Sequence, residues 1–421
     1  MGIIITIFFI FLLSVNYKRG VIIIAATLQM LSYIGTDIPE LKIFTVLSAY
    51  ALLLYFFIPV NLKKKSERYP KTLLFSSYLF VVSFLISEIY TRTSHHWGTI
   101  VSNIITYFLF PFILWKCLDS KKNIKLYITS LYNIMLIALF WGLLEIVFRK
   151  NYALTIIDTI FTLEDFAFDD ERIRFGLKRC NSIFSYFTTY GVACLFSFTV
   201  FFYSKFKYKI KKQWLTLLVM MMPICAFSTG SRAIFLGLFA ILLFLCFQED
   251  FKSSKYYKRF WLIVVLLIPV LTTVLSQVYF SMAHSEEYGD GSTAELRELQ
   301  WGACLPSFLQ SPIIGNGRMY IWDVVSQEHS ILRGAESIWF SILVDYGILG
   351  AIAFVNLLFM CGLSLWRVDR RLICIPIGYL LVLSLSPDSG VQYNILITFT
   401  IIHIKMYNLL KPSNSYYGLN R

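Results

Sequence analysis

Apolar runs of about 15–20 residues recur along this chain from end to end, and each closes on a short polar or basic break. An α-helix needs roughly 20 apolar residues to cross a hydrocarbon layer about 30 Å thick. The runs are continuous rather than alternating, which predicts helices and argues against a β-barrel. About 12–13 spans are predicted, near residues 3–17, 20–34, 41–60, 72–90, 99–116, 126–147, 183–203, 213–228, 232–247, 261–280, 335–360, 372–386 and 391–407. The first run has no basic residue before it and no small-residue cleavage site after it, so it reads as an uncleaved anchor. The expected fold is an all-α polytopic membrane bundle. It forms a single membrane domain over 1–421, with two long loops on one side at about 148–182 and 281–334.

Composition agrees: 57% of residues are hydrophobic and 15% charged, where a soluble domain carries about 25% charged residues. A net charge of +13 raises the question of nucleic acid, and its distribution answers it. With alternate loops assigned to one side, that side holds 26 of the 38 Lys and Arg but only 5 of the 25 acidic residues. The segments "NLKKKSERYPK", "KFKYKIKK" and "KSSKYYKRF" all fall there. By the positive-inside rule this side is cytoplasmic, the N-terminus is outside and the C-terminus inside. The surplus charge therefore records topology, and no nucleic-acid partner is expected. Six of the eight cysteines lie in or beside spans and act as small apolar residues. Cys180 and Cys304 fall in the two long outer loops, where a disulfide between them is one option. No CxxC or Cys/His spacing points to a metal, and no GxxxxGK[ST] points to ATP. The lack of a clear internal repeat weakens a transporter built from duplicated halves.

Three stretches hold candidate chemistry. Residues 213–247 contain "CAFSTGSRAIFLGLF". As one helix they would extend about 50 Å, too long for a single crossing, and both flanks are basic. A hairpin turning at "STGS" satisfies both facts and places Arg232 at the outer interface. Ser231 and the following helix N-terminus add N–H groups and a positive dipole end, a combination that favours an anion. The plainer reading is an arginine snorkelling to water or lipid phosphate. In "STAELRELQWGACLPSFLQSPIIGNGRMYIWD", residues 293–305 predict a short helix with Arg297 and Trp301 on one face, ended by Pro306 and Pro312. Arg297 is a second candidate phosphate ligand, Arg318 follows a "GNG" turn, and a solvated loop helix is the alternative. In "GAESIWFSILVDYGILGAIAF", Glu336 stands at the outer entrance of a span, within reach of water and a lipid headgroup. Asp345 is about 13 Å deeper, where an intramembrane carboxylate reads best as a structural hydrogen-bond or ion-pair partner.

Glu88 and Glu145 also lie near outer span ends, as candidates to bind sugar hydroxyls, with Trp301 as a further glycan contact. The acidic cluster at 164–172 reads as a solvated loop. His95, His96, His284 and His329 lack ligand spacing, and only His329 is kept, as a substitute base near Glu336.

"FSTGSRAIFLGLFAILLF", "LRELQWGACLPSFLQSPIIGNG" and "AESIWFSILVDYGILGAIAF", in this order, resemble the C-terminal half of the O-antigen polymerase and O-antigen ligase superfamily over roughly residues 180–400. That resemblance implies a glycosyltransferase of the bacterial inner membrane that uses undecaprenyl-diphosphate-linked oligosaccharide, with its active site and long loops facing the periplasm. The resemblance carries over Arg232 and Arg297 as the arginines that hold the diphosphate. The residues themselves add Ser231 and Arg318 to that set and Glu336 as the group that orients or deprotonates the attacking hydroxyl, with neither cofactor nor metal. Glu336 falls where many ligases have a His, which fits Wzy-type polymerases better. The implied reaction moves the growing glycan onto the next lipid-linked repeat unit, and a chain-length regulator is a possible partner. The rival readings are a ligase acting on lipid A–core and a non-catalytic flippase of lipid-linked oligosaccharide.

Overall fold

The computed structural model describes residues 2–31, 43–57, 68–91, 95–160, 173–174, 177–184, 186–245, 249–253, 257–258, 276, 294–329, 337–385 and 392–410. Every predicted span meets a helix there except 261–280, which apart from residue 276 lies outside the described residues. Among the described residues five helices are long and apolar enough to cross a membrane: Lys71–Ile89, Trp97–Cys117, Lys121–Phe148, Phe187–Lys207 and Ile338–Val368. The chain is an all-α polytopic membrane protein. Its described strands are only Ile173–Arg174 and Leu177–Lys178, which pair antiparallel within one predicted long loop.

Phe187–Lys207 is the central helix, with its whole apolar window buried. A helix that is apolar all round has no side for water and is stable only when surrounded. Lys121–Phe148, Leu215–Ser228, Arg232–Leu245 and Gln392–Leu410 pack around it. Peripheral helices instead leave large apolar side chains such as Val147, Phe239, Ile352 and Phe359 exposed, as a lipid-facing surface requires.

Leu215–Ser228 and Arg232–Leu245 form the hairpin expected from length and flanking charge. Each arm has 14 residues, or about 21 Å, short of a full crossing. Gly230 makes the turn at φ +63°. The Thr229 hydroxyl donates to the Ala226 carbonyl at 2.7 Å, and the Ser231 carbonyl accepts the Phe235 N–H at 3.1 Å. The helix Cys374–Ser384 runs antiparallel to the second arm. A Cβ at Gly237 would meet Val382, and one at Gly378 would meet Ile241, so Ser384 ends on the side of the hairpin tip. Ser384 accepts the Trp339 indole N–H at 3.1 Å, which brings the start of Ile338–Val368 to that same side. The molecule thus has a tip face and an opposite, lysine-rich face.

Ile338–Val368 is broken at Gly347, whose φ of 65° and ψ of −165° are not helical. The 21 residues from 348 to 368 alone give about 31 Å, one membrane thickness. Residues 338–346 therefore rise above that layer on the tip face, and Asp345 sits at its edge rather than within it. The interrupted turn is filled by another part of the chain. Ile348 and Leu349 donate their N–H groups to the carbonyls of Pro312 and Ile313 at 2.9 and 3.0 Å.

One expectation changes. The helix predicted to stop before Pro306 runs over Ala294–Gln310, with Pro306 inside it. Proline there removes one hydrogen bond, to the carbonyl four residues back. That residue is Gly302, exposed like Pro306, so water can serve the carbonyl and the helix continues.

A Cβ at Gly347 would lie 2.5 Å from the Ile313 carbonyl oxygen, in a backbone region that only glycine occupies readily. Gly347→Ala is expected to destabilise the protein by about 3 kcal/mol or more, measured as a fall in thermal midpoint in detergent. Gly302→Ala, where a Cβ meets nothing within 4 Å, is the matched control and should hold or raise stability by up to about 1 kcal/mol.

Candidate functional site

The tip face carries two built clusters. The first clamps the hairpin. Residues 179–182 cross its tip, where Cys180 donates its N–H to the Ser228 carbonyl at 3.1 Å and Arg179 its Nε–H to the Thr229 carbonyl at 3.3 Å. The Arg179 guanidinium lies 3.2 Å from the centroid of the Phe187 ring, a stacking arrangement that suits its planar, weakly hydrated charge. Beneath this crossing Glu145 is buried. Its Oε2 accepts the Ser182 N–H at 2.7 Å, the Asn181 N–H at 3.0 Å and the Cys180 thiol at 3.3 Å. A buried carboxylate is tolerated when N–H dipoles replace water, and Glu145 thereby fixes the strap that holds the tip. Ser182 adds a bond from its hydroxyl to the Ala138 carbonyl at 2.6 Å. Ser231, buried, and Arg232, half-buried, follow directly as the second arm begins. The tip thus bears two arginines, 179 and 232, beside a helix N-terminus.

The second cluster forms where residues 312–321 dock into the broken helix. Asn316 donates its backbone N–H to the Val344 carbonyl at 3.0 Å, and its amide group to the Ser307 and Val344 carbonyls at 2.7 and 3.1 Å. Gly317 donates to the Asp345 carbonyl at 3.1 Å. Gly315 has φ +78°, and a Cβ there would meet the Asp345 carbonyl oxygen at 2.2 Å, so the two backbones touch only because it is glycine. The buried Asp345 carboxylate accepts the N–H groups of Met319 and Ile321 at 3.1 and 3.2 Å. It is the structural hydrogen-bond partner expected from sequence, at the membrane edge rather than deep within it, and it bonds to backbone. Burial, and then the Asp345 charge, push the neighbouring Cys304 thiol up to about 12.

Glu88 and Arg318 meet in this cluster. Glu88 is fully buried; Oε1 accepts the His96 N–H and Oε2 the Arg318 N–H at 3.3 Å. The Arg318 guanidinium, 8% exposed, donates from Nη1 to the Tyr346 hydroxyl at 2.7 Å. Beside them the His96 Nε2 lies 2.7 Å from the Asp323 Oδ2, with side-chain exposures of 15% and 32%. An imidazole bonded to a carboxylate and still reachable from outside can take up or release a proton.

Among the other residues singled out by sequence, Trp301 is half-exposed, its ring edge-to-face with Phe340 at 4.5 Å between centroids. Arg297 lies in the helix Ala294–Gln310, but its side chain falls outside the described residues. Glu336 and the acidic cluster at 164–172 also fall outside them. His329 is exposed, just beyond the short helix Ser326–Glu328. Cys180 and Cys304 are both free, buried thiols in separate surroundings, so they are not joined. Among the described residues no group of three His, Cys, Asp or Glu is arranged to hold a metal ion. Sequence reasoning passed over Arg179 and Asp323, and set His96 aside for want of ligand spacing. The His96–Asp323 pair spans 227 positions, so no local spacing signals it, and Arg179 gains its place only from the strap.

If Glu145 holds the strap, Glu145→Ala should release it. Cys180 is expected to resist maleimide in the native protein and to react in Glu145→Ala, read by mass shift under non-denaturing conditions. Continued protection of Cys180 in the variant would show that the strap stays docked without the carboxylate.

No curated protein matches the chain at a significant level. The family described as O-Antigen ligase matches residues 215–355, a segment that holds the arginine-tipped hairpin, the helix Ala294–Gln310, the docked loop and the break at Gly347. Over residues 215–355 the chain is thus similar to the O-antigen polymerase/ligase superfamily.

Proposed function

We propose that this protein is a surface-polysaccharide polymerase. In this reading it transfers a growing glycan from undecaprenyl diphosphate to the next lipid-linked repeat unit, with the tip face toward the periplasm of a bacterial inner membrane. The observation that carries it is the arginine-bearing hairpin tip, strapped in place inside the segment that matches the family. The acceptor hydroxyl attacks the anomeric carbon of the donor sugar, the new C–O bond forms, and the bond to the diphosphate breaks. The electron pair leaves with the lipid diphosphate, and the hydroxyl proton goes to a base.

Negative charge grows on the leaving oxygen, where fixed guanidinium groups act best. Arg232 and Ser231 take that role at the tip, with Arg179 beside them and Arg297 as a further ligand. Glu336 is the base suggested by its position at the outer entrance of a span, and its place where many ligases have a His supports polymerase over ligase. His96–Asp323 is a second proton-accepting pair on the same face. Glu88 and Glu145, bound to backbone N–H groups, act by positioning the loops rather than by touching sugar; Arg318, tied to Glu88 and Tyr346, fixes the docked loop. Trp301 offers an exposed aromatic face for a sugar ring.

Deleting the gene and resolving surface polysaccharide on a gel tests the reading. A polymerase leaves a single repeat unit on the core and no ladder. Loss of all attached sugar with accumulation of long lipid-linked polymer would identify a ligase instead. Complementation with Arg232→Lys, which keeps the charge but loses bidentate binding, is expected to abolish the ladder. Between the two bases, the variant that costs about 10²-fold or more in chain growth, Glu336→Gln or His96→Gln, marks the group that takes the proton.

A further inference from the structure

The lysine-rich face holds a feature that the transfer reaction does not use. Between the start of Lys121–Phe148, the segment 208–212 and the end of Gln392–Leu410 lies a cavity of about 490 Å³. Five lysines line it: Lys121, Lys125, Lys209, Lys211 and Lys212. No carboxylate does so among the described residues. Two nearby carboxylates are already committed: Asp119 pairs with Lys18, and Asp369 with Lys207 at 2.6 Å. Burial pushes Asp369 up, but Lys207 and Arg371 outweigh it and hold the carboxyl below its usual range.

A topological excess of lysine accounts for basic loops, but not for five ammonium groups gathered around one hollow. A cavity of this volume is about 10 Å across, near the Debye length at physiological salt, so these charges repel one another until an anion enters. The lining is also held in shape. Tyr208 and Ile210 donate their N–H groups to the Tyr203 and Ser204 carbonyls at 2.9 and 2.8 Å. Trp214 donates its N–H to the Tyr132 hydroxyl at 3.2 Å, and Lys212 Nζ sits 4.4 Å from the centroid of that tyrosine's ring. The N-terminus of Lys121–Phe148, capped by Ser120, adds its dipole to the same hollow. Ile128, Ile210 and Leu410 complete the wall with apolar surface, which a soluble anion does not need and a lipid does.

We propose that this cavity binds the phosphate headgroup of an anionic membrane lipid, with the lysines around the phosphate and the acyl chains along the apolar wall. Native mass spectrometry of the purified full chain tests it, with phosphatidylglycerol as probe, phosphatidylcholine as the neutral lipid and inorganic diphosphate as the soluble anion. Phosphatidylglycerol is expected to remain as a discrete adduct. Its affinity should fall at least about tenfold in the triple variant Lys125→Gln, Lys209→Gln and Lys211→Gln. It should stay within about twofold in Lys122→Gln, Arg367→Gln and Arg370→Gln, which remove the same charge from the same face outside the cavity. Three results would each overturn the proposal: equally tight phosphatidylcholine, equal weakening in both triple variants, or displacement of the lipid by diphosphate at comparable concentration. If the first triple variant does not fold, Lys125→Gln alone is read instead, with a loss of about threefold expected and none of that size in Lys122→Gln.

Discussion

A helix in a membrane can be interrupted only where something else satisfies the backbone groups that the interruption frees. Here that supplier is the loop 312–319, and much of the tip face depends on the exchange. The Pro312 and Ile313 carbonyls take the N–H groups below the break, while the Val344 and Asp345 carbonyls above it take those of Asn316 and Gly317. Because the contact is backbone on backbone, it requires glycine at Gly315 and Gly347 on opposite sides of the seam. Once the loop is seated, Asp345 can bind Met319 and Ile321, and Glu88 can bind Arg318. Asp323 is carried to His96 by the same docking. A carboxylate at the membrane edge is thereby converted from a desolvation cost into the fixed point of a loop.

The hairpin tip follows a parallel logic with a different strap. Both arms are too short to span, so the turn lies within the interfacial zone, where an arginine keeps its hydration in part. Left alone, such a tip would tilt and slide, because a short hairpin has little to hold its depth. The crossing of residues 179–182, anchored on buried Glu145, removes that freedom. Charge used to stabilise a leaving group is effective when its direction is set before the reaction begins. In the proposed reaction the strap supplies that condition for Arg232.

Much of the fold was legible in the sequence because membrane insertion is read one segment at a time. Span positions follow from apolar run length, and the hairpin follows from a 35-residue stretch with basic flanks. Glu88 and Glu145 were legible as unusual residues near span ends and Asp345 as a carboxylate deeper in one, but their partners were not. Glu88 binds N–H groups 8 and 230 positions away, and backbone donors leave no mark on residue identity. The break at Gly347 was likewise hidden: its cause is the docking of 312–313, and a Gly inside an apolar helix is otherwise unremarkable. The His96–Asp323 pair was missed for the same reason. Its two halves come from different loops and meet only after the seam has closed.

The two faces show how one chemical type is used in two ways. On the lysine-rich face most of the cations are flexible ammonium groups, which suits a membrane surface rich in anionic headgroups. On the tip face three arginines are held in place: Arg179 over Phe187, Arg318 against Tyr346, Arg232 at the start of a helix. A guanidinium keeps its charge in an apolar setting and offers a rigid fork, which an ammonium does not. That division suits the proposed transfer, whose energy resides in its leaving group. For the transfer proposed above, the demand on the tip side is to hold a diphosphate still while the bond to the sugar breaks. The chemistry then depends less on any single reactive side chain than on whether the strap and the seam keep their arginines in register.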